Sequence, residues 1–232
     1  MSLKTGVIFF LYILTIVAMV KSEPLNTGNN DENRNLPSLA CHYETTVESL
    51  GQLHQTRDWY LWREPSRIET QEKIYETGEI WRLGRDGSIF YYRVFHRYMC
   101  VIEYTTGDLR ALNGYQDWNK LTHILEPNLL AKLKLAGTTK ILGRNAQRYQ
   151  GEINGIDFEV WWLKDEQIPA LVRQFYSGRV VILKLKELYP INKSPWRRED
   201  TANYKRMDYA DIGDRHSDPF LKKLLQDYRH SH

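Results

Sequence analysis

Between residues 57 and 188 the chain runs in short bursts of alternating bulky and polar positions, most of them ended by glycine, proline or asparagine. Alternation at period two marks β-strands. It predicts strands over residues 57–63, 67–72, 79–83, 88–95 and 98–104, with the polar 67–72 as an edge strand. Pro65 stops the first, Gly84-Arg85-Asp86-Gly87 forms a turn, and Thr106-Gly107-Asp108 breaks the fifth. The period then changes. Over 117–125 and 127–135, Trp118, Leu121, Ile124, Leu125, Leu129, Leu130 and Leu133 recur at helical spacing, with Pro127 in a first turn and Gly137 at the end. Strands resume at 138–142, 146–152, 156–164, 170–176 and 179–188, joined at Asn154-Gly155 and Ser177-Gly178 by two-residue hairpin turns. Such short turns imply antiparallel pairing. Two more helices are expected. One is short, over 44–53, with Val47, Leu50 and Leu53 on one face. The other closes the chain at 220–229, capped by Asp218 with Pro219 at its first position, and Phe220, Leu221, Leu224, Leu225 and Tyr228 form an apolar face that needs a cover.

Several strands are bulky on both faces, where a half-buried strand would be polar on one. Trp59 and Leu61 oppose Tyr60 and Trp62; Ile89, Tyr91 and Phe95 oppose Phe90, Tyr92 and Val94. Phe158, Val160 and Trp162 oppose Trp161 and Leu163, and Val181, Leu183 and Leu185 oppose Val180 and Ile182. One face can be covered by helices; the other must meet a second layer, a partner or a cavity. A mostly β (α+β) curved antiparallel sheet with helices on its concave side satisfies this, and so does a β-sandwich. If the concave side holds a ligand, the inward-facing candidates are Trp59, Leu61, Trp81, Tyr91, Trp162 and Leu183.

The N-terminus changes the setting. Residues 7–20 carry no charge, Lys4 precedes them and Lys21 follows. A membrane-spanning helix needs about 20 apolar residues and a signal-peptide core about 7–15. The run therefore reads as a secretion signal over 1–22, cleaved after Ser22 or Ala18, with an uncleaved anchor as the other reading. Residues 23–36 are polar and read as a disordered leader. The domain is expected over 37–190, and 191–232 as a C-terminal extension carrying the final helix. Cys41 lies too far downstream for a lipidation site. It and Cys100 are the two cysteines, and in an oxidising compartment they are expected to form a disulfide, with two unpaired thiols as the other reading. The net charge of +3 is small and scattered, which excludes a nucleic-acid stripe; an aromatic content of 12 % suits sheets.

No catalytic chemistry emerges. The seven histidines form no helical ligand pair, and no Gly-x-Ser-x-Gly elbow, phosphate loop or Cys-x-x-Cys is present. The acids from Asp208 to Asp218 match no calcium loop. The chain is read as a non-enzyme, with no metal and no cofactor.

Two segments carry a resemblance. One is the hairpin Glu79-Ile80-Trp81-Arg82-Leu83-Gly84-Arg85-Asp86-Gly87-Ser88-Ile89-Phe90-Tyr91-Tyr92. The other runs from Gly143-Arg144-Asn145-Ala146-Gln147-Arg148-Tyr149 through Phe158-Glu159-Val160-Trp161-Trp162-Leu163 to Ile168-Pro169-Ala170-Leu171-Val172. In arrangement, residues 43–190 resemble the periplasmic lipoprotein carriers, the Lol-type lipoprotein-sorting superfamily. The resemblance implies an unclosed β-barrel around internal helices and a lipid or lipoprotein acyl chain held between them. The expected protein is periplasmic or secreted and carrier-like, with peripheral membrane contact. The alternative is an envelope interaction or regulatory module that docks a protein partner through residues 200–232.

Overall fold

Turn chemistry sets the connectivity. At Asn154-Gly155 (φ 53° and 76°) and Ser177-Gly178 (φ 44° and 76°) both residues sit in the left-handed region, as a tight hairpin matched to strand twist requires. The computed structural model describes residues 36–49, 52–112, 114–126, 128–214 and 218–230, with side chains described throughout except at 52–54, 213–214 and 225–230. The expected signal and all of the leader but the buried Leu36 lie outside these residues, as do Leu50, Pro127 and the side chains of Leu53, Leu225 and Tyr228.

The strands are β1 (Leu39–Ser49), β2 (Gln52–Glu64), β3 (Arg67–Glu72), β4 (Thr77–Leu83), β5 (Ile89–Phe95), β6 (Cys100–Tyr104), β7 (Lys134–Ile141), β8 (Arg144–Ile153), β9 (Ile156–Leu163), β10 (Ile168–Tyr176), β11 (Arg179–Pro190) and β12 (Lys205–Asp208). Among the described residues they form one unclosed sheet in the order β12-β6-β5-β4-β3-β2-β1-β11-β10-β9-β8-β7. Two meanders, β1–β6 and β7–β11, are joined where β11 pairs with β1. The pairs are antiparallel except β12 with β6, which is parallel. The helices are α1 (Thr106–Ala111), α2 (Trp118–His123), α3 (Leu129–Lys132), α4 (Tyr209–Asp214) and α5 (Pro219–His230). In α5 the Phe220 amide donates to Asp218 Oδ1 at 2.9 Å, the expected cap.

Each face of the sheet has its own cover. On the concave side Leu109 of α1, Trp118 and Leu121 of α2, Leu129 of α3 and Leu221 and Leu224 of α5 join one buried cluster with Tyr43, Leu61, Trp81, Tyr91, Val160 and Leu185. On the convex side residues 191–208 cross β1 to β6 as a strap. Trp196 packs on Tyr60 and Tyr189, with ring centroids 5.0 and 5.3 Å away. Arg198 pairs with Glu64 at 2.6 Å. Glu199 accepts from Gln71 at 2.6 Å and lies 3.0 Å from His96. Tyr204 packs on a small cluster of Ile80, Val94 and Val101. The chain then adds β12 at the sheet edge and returns to the concave side, where Tyr209 stacks on Tyr104 at 4.6 Å. Over β1 to β6 the strap and the helices together account for strands that are bulky on both faces. On β9, where Trp161 faces the convex side, Arg148 lies over its ring and Glu159 accepts from its Nε1 at 2.8 Å.

Four expectations are corrected. The described residues of the expected 44–53 helix, 44–49 and 52–53, are strand. Residues 39–49 form β1 at the centre of the sheet, and the β-branched run Thr45-Thr46-Val47 suits an extended backbone. The polar strand 67–72 is not an edge; β3 lies between β2 and β4. Thr106-Gly107-Asp108 does not merely end a strand but opens α1, with a reciprocal cap between Thr105 and Asp108. Cys41 and Cys100 are not bridged; both are buried free thiols. They sit on β1 and β6, with β2, β3, β4 and β5 between them in the sheet, and a bridge needs Cα atoms within about 7 Å. Cys100 instead touches the Met207 sulfur at 3.8 Å.

Candidate functional site

Strand parity decides what faces the concave interior. On β2 the alternation puts Arg57, Trp59, Leu61 and Arg63 inward and leaves Tyr60 and Trp62 under the strap. On β4 and β5 it puts Glu79 and Trp81, and Tyr91, Arg93 and Phe95, inward in register with one another. Of the candidates read from the sequence, Trp59, Leu61, Trp81, Tyr91 and Leu183 are all buried in the concave cluster. Trp162 is only partly buried; it packs at the margin of that cluster, its ring parallel to His123 at 6.2 Å. The aromatic residues pack on each other. Tyr43 stacks on Trp59 at 4.8 Å, and Trp81 meets Tyr91 at 4.3 Å.

The interior is not purely apolar. Arg57, Glu72, Glu79 and Arg93 come from four neighbouring strands, the two acids on β3 and β4 flanked by the two arginines on β2 and β5. Arg57 lies 3.7 Å from Glu72 and Arg93 3.7 Å from Glu79, all nearly buried. Tyr91 donates its hydroxyl to Glu79 at 3.0 Å. Burial pushes the Glu72 carboxyl up to about 7, against the pull of Arg57 and Arg93 and with a further push from Glu79. Among the described residues Glu72 Oε1, Gln174 Oε1 and Trp118 Nε1 are buried in this interior without a hydrogen bond within the protein. Each such atom costs about 1–3 kcal/mol unless water or a guest satisfies it.

One end is closed by Arg63. Its guanidinium donates to the carbonyls of Pro37, Thr122, Glu166 and Gln167 at 2.6–3.3 Å, which ties the start of the domain to α2 and to the turn between β9 and β10. Beside it burial pushes the Cys41 thiol up to about 12, too high for a reactive thiolate.

The selection of bulky residues missed this charged belt and Arg63. Parity was the available signal. Arg57, Glu79 and Arg93 stand two positions from Trp59, Trp81 and Tyr91, so each shares a face with a residue already taken as inward.

No family model matches the chain, and no curated protein matches it. Among solved structures the chain is similar to PNGF-II, at a TM-score of 0.42 and 12 % identity over 77 % of this chain and 32 % of that one. It is similar to MucB in complex with MucA(peri), at 0.38 and 14 % over 83 % and 58 %. It is also similar to a putative outer membrane lipoprotein-sorting protein domain from Vibrio parahaemolyticus, at 0.32 and 10 % over 84 % and 94 %. The last is of the kind that the two sequence segments resemble. The chain spans about a third of the length of PNGF-II. At TM-scores below 0.5 none of these likenesses decides what the chain does.

Proposed function

We propose that the chain is an exported, carrier-like protein that holds an apolar ligand, a lipid or a lipoprotein acyl chain, between the concave face of the sheet and helices α1, α2, α3 and α5. The observation that carries this reading is the set of buried polar atoms without a hydrogen bond, Gln174 Oε1, Trp118 Nε1 and Glu72 Oε1, in an interior of aromatic and aliphatic walls with one charged belt. Buried polar atoms without a hydrogen bond point to an absent guest or to water, and apolar walls with a few placed polar groups are the usual make-up of a ligand site. An acyl chain buried there gains about 25 cal/mol per Å² of apolar surface, which needs no charged anchor. Trp59, Leu61, Trp81, Tyr91 and Leu183 are the proposed contacts, with Trp162 at the rim. Residues 1–22 are proposed to direct the chain to the periplasm or outside the cell.

A fluorescent fatty acid tests the reading. It should brighten on mixing with the protein and be displaced by unlabelled acyl lipid, and Leu183→Trp, which fills the interior, should weaken uptake at least severalfold. No brightening, or brightening indifferent to Leu183→Trp, counts against the site. The reading in which residues 200–232 dock a protein partner has less support, because Met207, Ile212, Leu221 and Leu224 of that stretch are buried in the chain's own core.

A further inference from the structure

Among the described residues the three most exposed large apolar side chains are Ile74 at 68 %, Leu135 at 58 % and Met99 at 54 %. Ile74 caps the β3–β4 turn, Met99 the β5–β6 turn, and Leu135 opens β7. In an antiparallel sheet these positions fall at the same ends of the strands. The β10–β11 turn belongs to that end too, with Phe175 and Tyr176 exposed beside it. Each apolar tip has a base close by in the chain: Lys73 next to Ile74, Arg97 near Met99, Lys134 next to Leu135 and Arg179 near Tyr176. The Ile74 and Met99 turns are neighbours, since the His96 amide donates to the Glu76 carbonyl at 2.8 Å.

We infer that this end of the sheet is a docking rim for a lipid bilayer bearing anionic headgroups, centred on the Ile74 and Met99 turns. Apolar tips flanked by Lys and Arg are what an interfacial contact requires, the tips entering the acyl boundary while the bases meet headgroup charge. Glu76 forms an ion pair with Arg97 at 3.9 Å and offsets it, so the positive charge of the rim comes from Lys73, Lys134 and Arg179; Glu152 and Asp157 belong to the β8–β9 hairpin, which carries no apolar tip. Among the described residues no helix is long and apolar enough to cross a membrane, so the contact is one of turns lying in the interface. The rim is independent of whether the interior takes a ligand.

The apolar run at residues 7–20 can itself enter a bilayer, so the test compares the two ends of the sheet within the full chain. An environment-sensitive fluorophore is placed by Ile74→Cys or Met99→Cys, and at the opposite end by Phe90→Cys or Leu142→Cys. Native Cys41 and Cys100 are fully buried and do not compete for label. With vesicles of phosphatidylcholine and phosphatidylglycerol, the labels at 74 and 99 should shift to the blue and those at 90 and 142 should not. Adding Lys73→Glu should weaken the apparent vesicle affinity by about fivefold or more, the loss and reversal of one surface charge. No shift at 74 and 99, an equal shift at both ends, or a shift that grows with protein concentration without vesicles (self-association of two copies) would each overturn the rim.

Discussion

Arg63 heads the side chains that the fold buries almost completely, and four carbonyls from three parts of the chain converge on it. Replacing it by Met keeps the volume and strands those carbonyls. A loss of about 3–5 kcal/mol in unfolding free energy is expected, the usual result of removing one side of a buried charged network; a change under about 1 kcal/mol in a denaturant titration would contradict its role. Glu72 makes a prediction in pH. Its folded-state value is raised to about 7 from the usual 4.5, so the native protein binds the extra proton between those values, and stability should fall as pH rises through that window. The sum over the window is about 3 kcal/mol as an upper bound. Glu72→Gln removes that part of the slope, and thermal melts at pH 5 and pH 8 for both proteins measure it; unchanged slopes would refute the assignment. Cys41 and Cys100 were legible as a pair only through compartment and number, neither of which knows strand order. Thiol titration of the denatured, unreduced protein should find two free thiols.

Elements explain where the sequence misleads. β3 is polar yet central because both of its covers are polar at that place. Glu69 and Gln71 meet the strap, and Glu72 meets the charged belt of the concave face. Polarity in a strand records what covers it, and the pattern along β3 alone cannot separate water from a salt-bridged strap. The hairpins were legible because Asn154-Gly155 and Ser177-Gly178 carry their own backbone preference. The 44–53 segment was not, since Val47, Leu50 and Leu53 satisfy a helical spacing while pairing on both sides decides for β1. Gly78 records a close approach between strands, for a Cβ there would lie 2.8 Å from the Thr70 carbonyl oxygen. Gly78→Ala should therefore destabilise by about 1–3 kcal/mol through forced strand separation, read as a lowered urea midpoint; a neutral result would contradict the packing of β3 on β4.

At the scale of the molecule, the excess of bulky strand positions has two separate outlets, helices on the concave side and the strap on the convex side. The inward candidates Trp59, Leu61, Trp81, Tyr91 and Leu183 were legible from alternation; the strap was not, because 191–208 is mostly polar and its aromatic anchors, Trp196 and Tyr204, stand eight residues apart and set no period. Trp196→Ala should cost about 1–3 kcal/mol and expose Tyr60 and Tyr189 to solvent, seen as a lowered melting temperature with the concave interior intact. The claim on which the functional account stands is that the concave interior takes a greasy guest. Native mass spectrometry of the protein purified from its own cells measures this directly. The account predicts a population heavier than the bare chain by the mass of a lipid or acyl chain, which organic extraction removes. A single peak at the bare polypeptide mass, unchanged after incubation with acyl lipids, would contradict it.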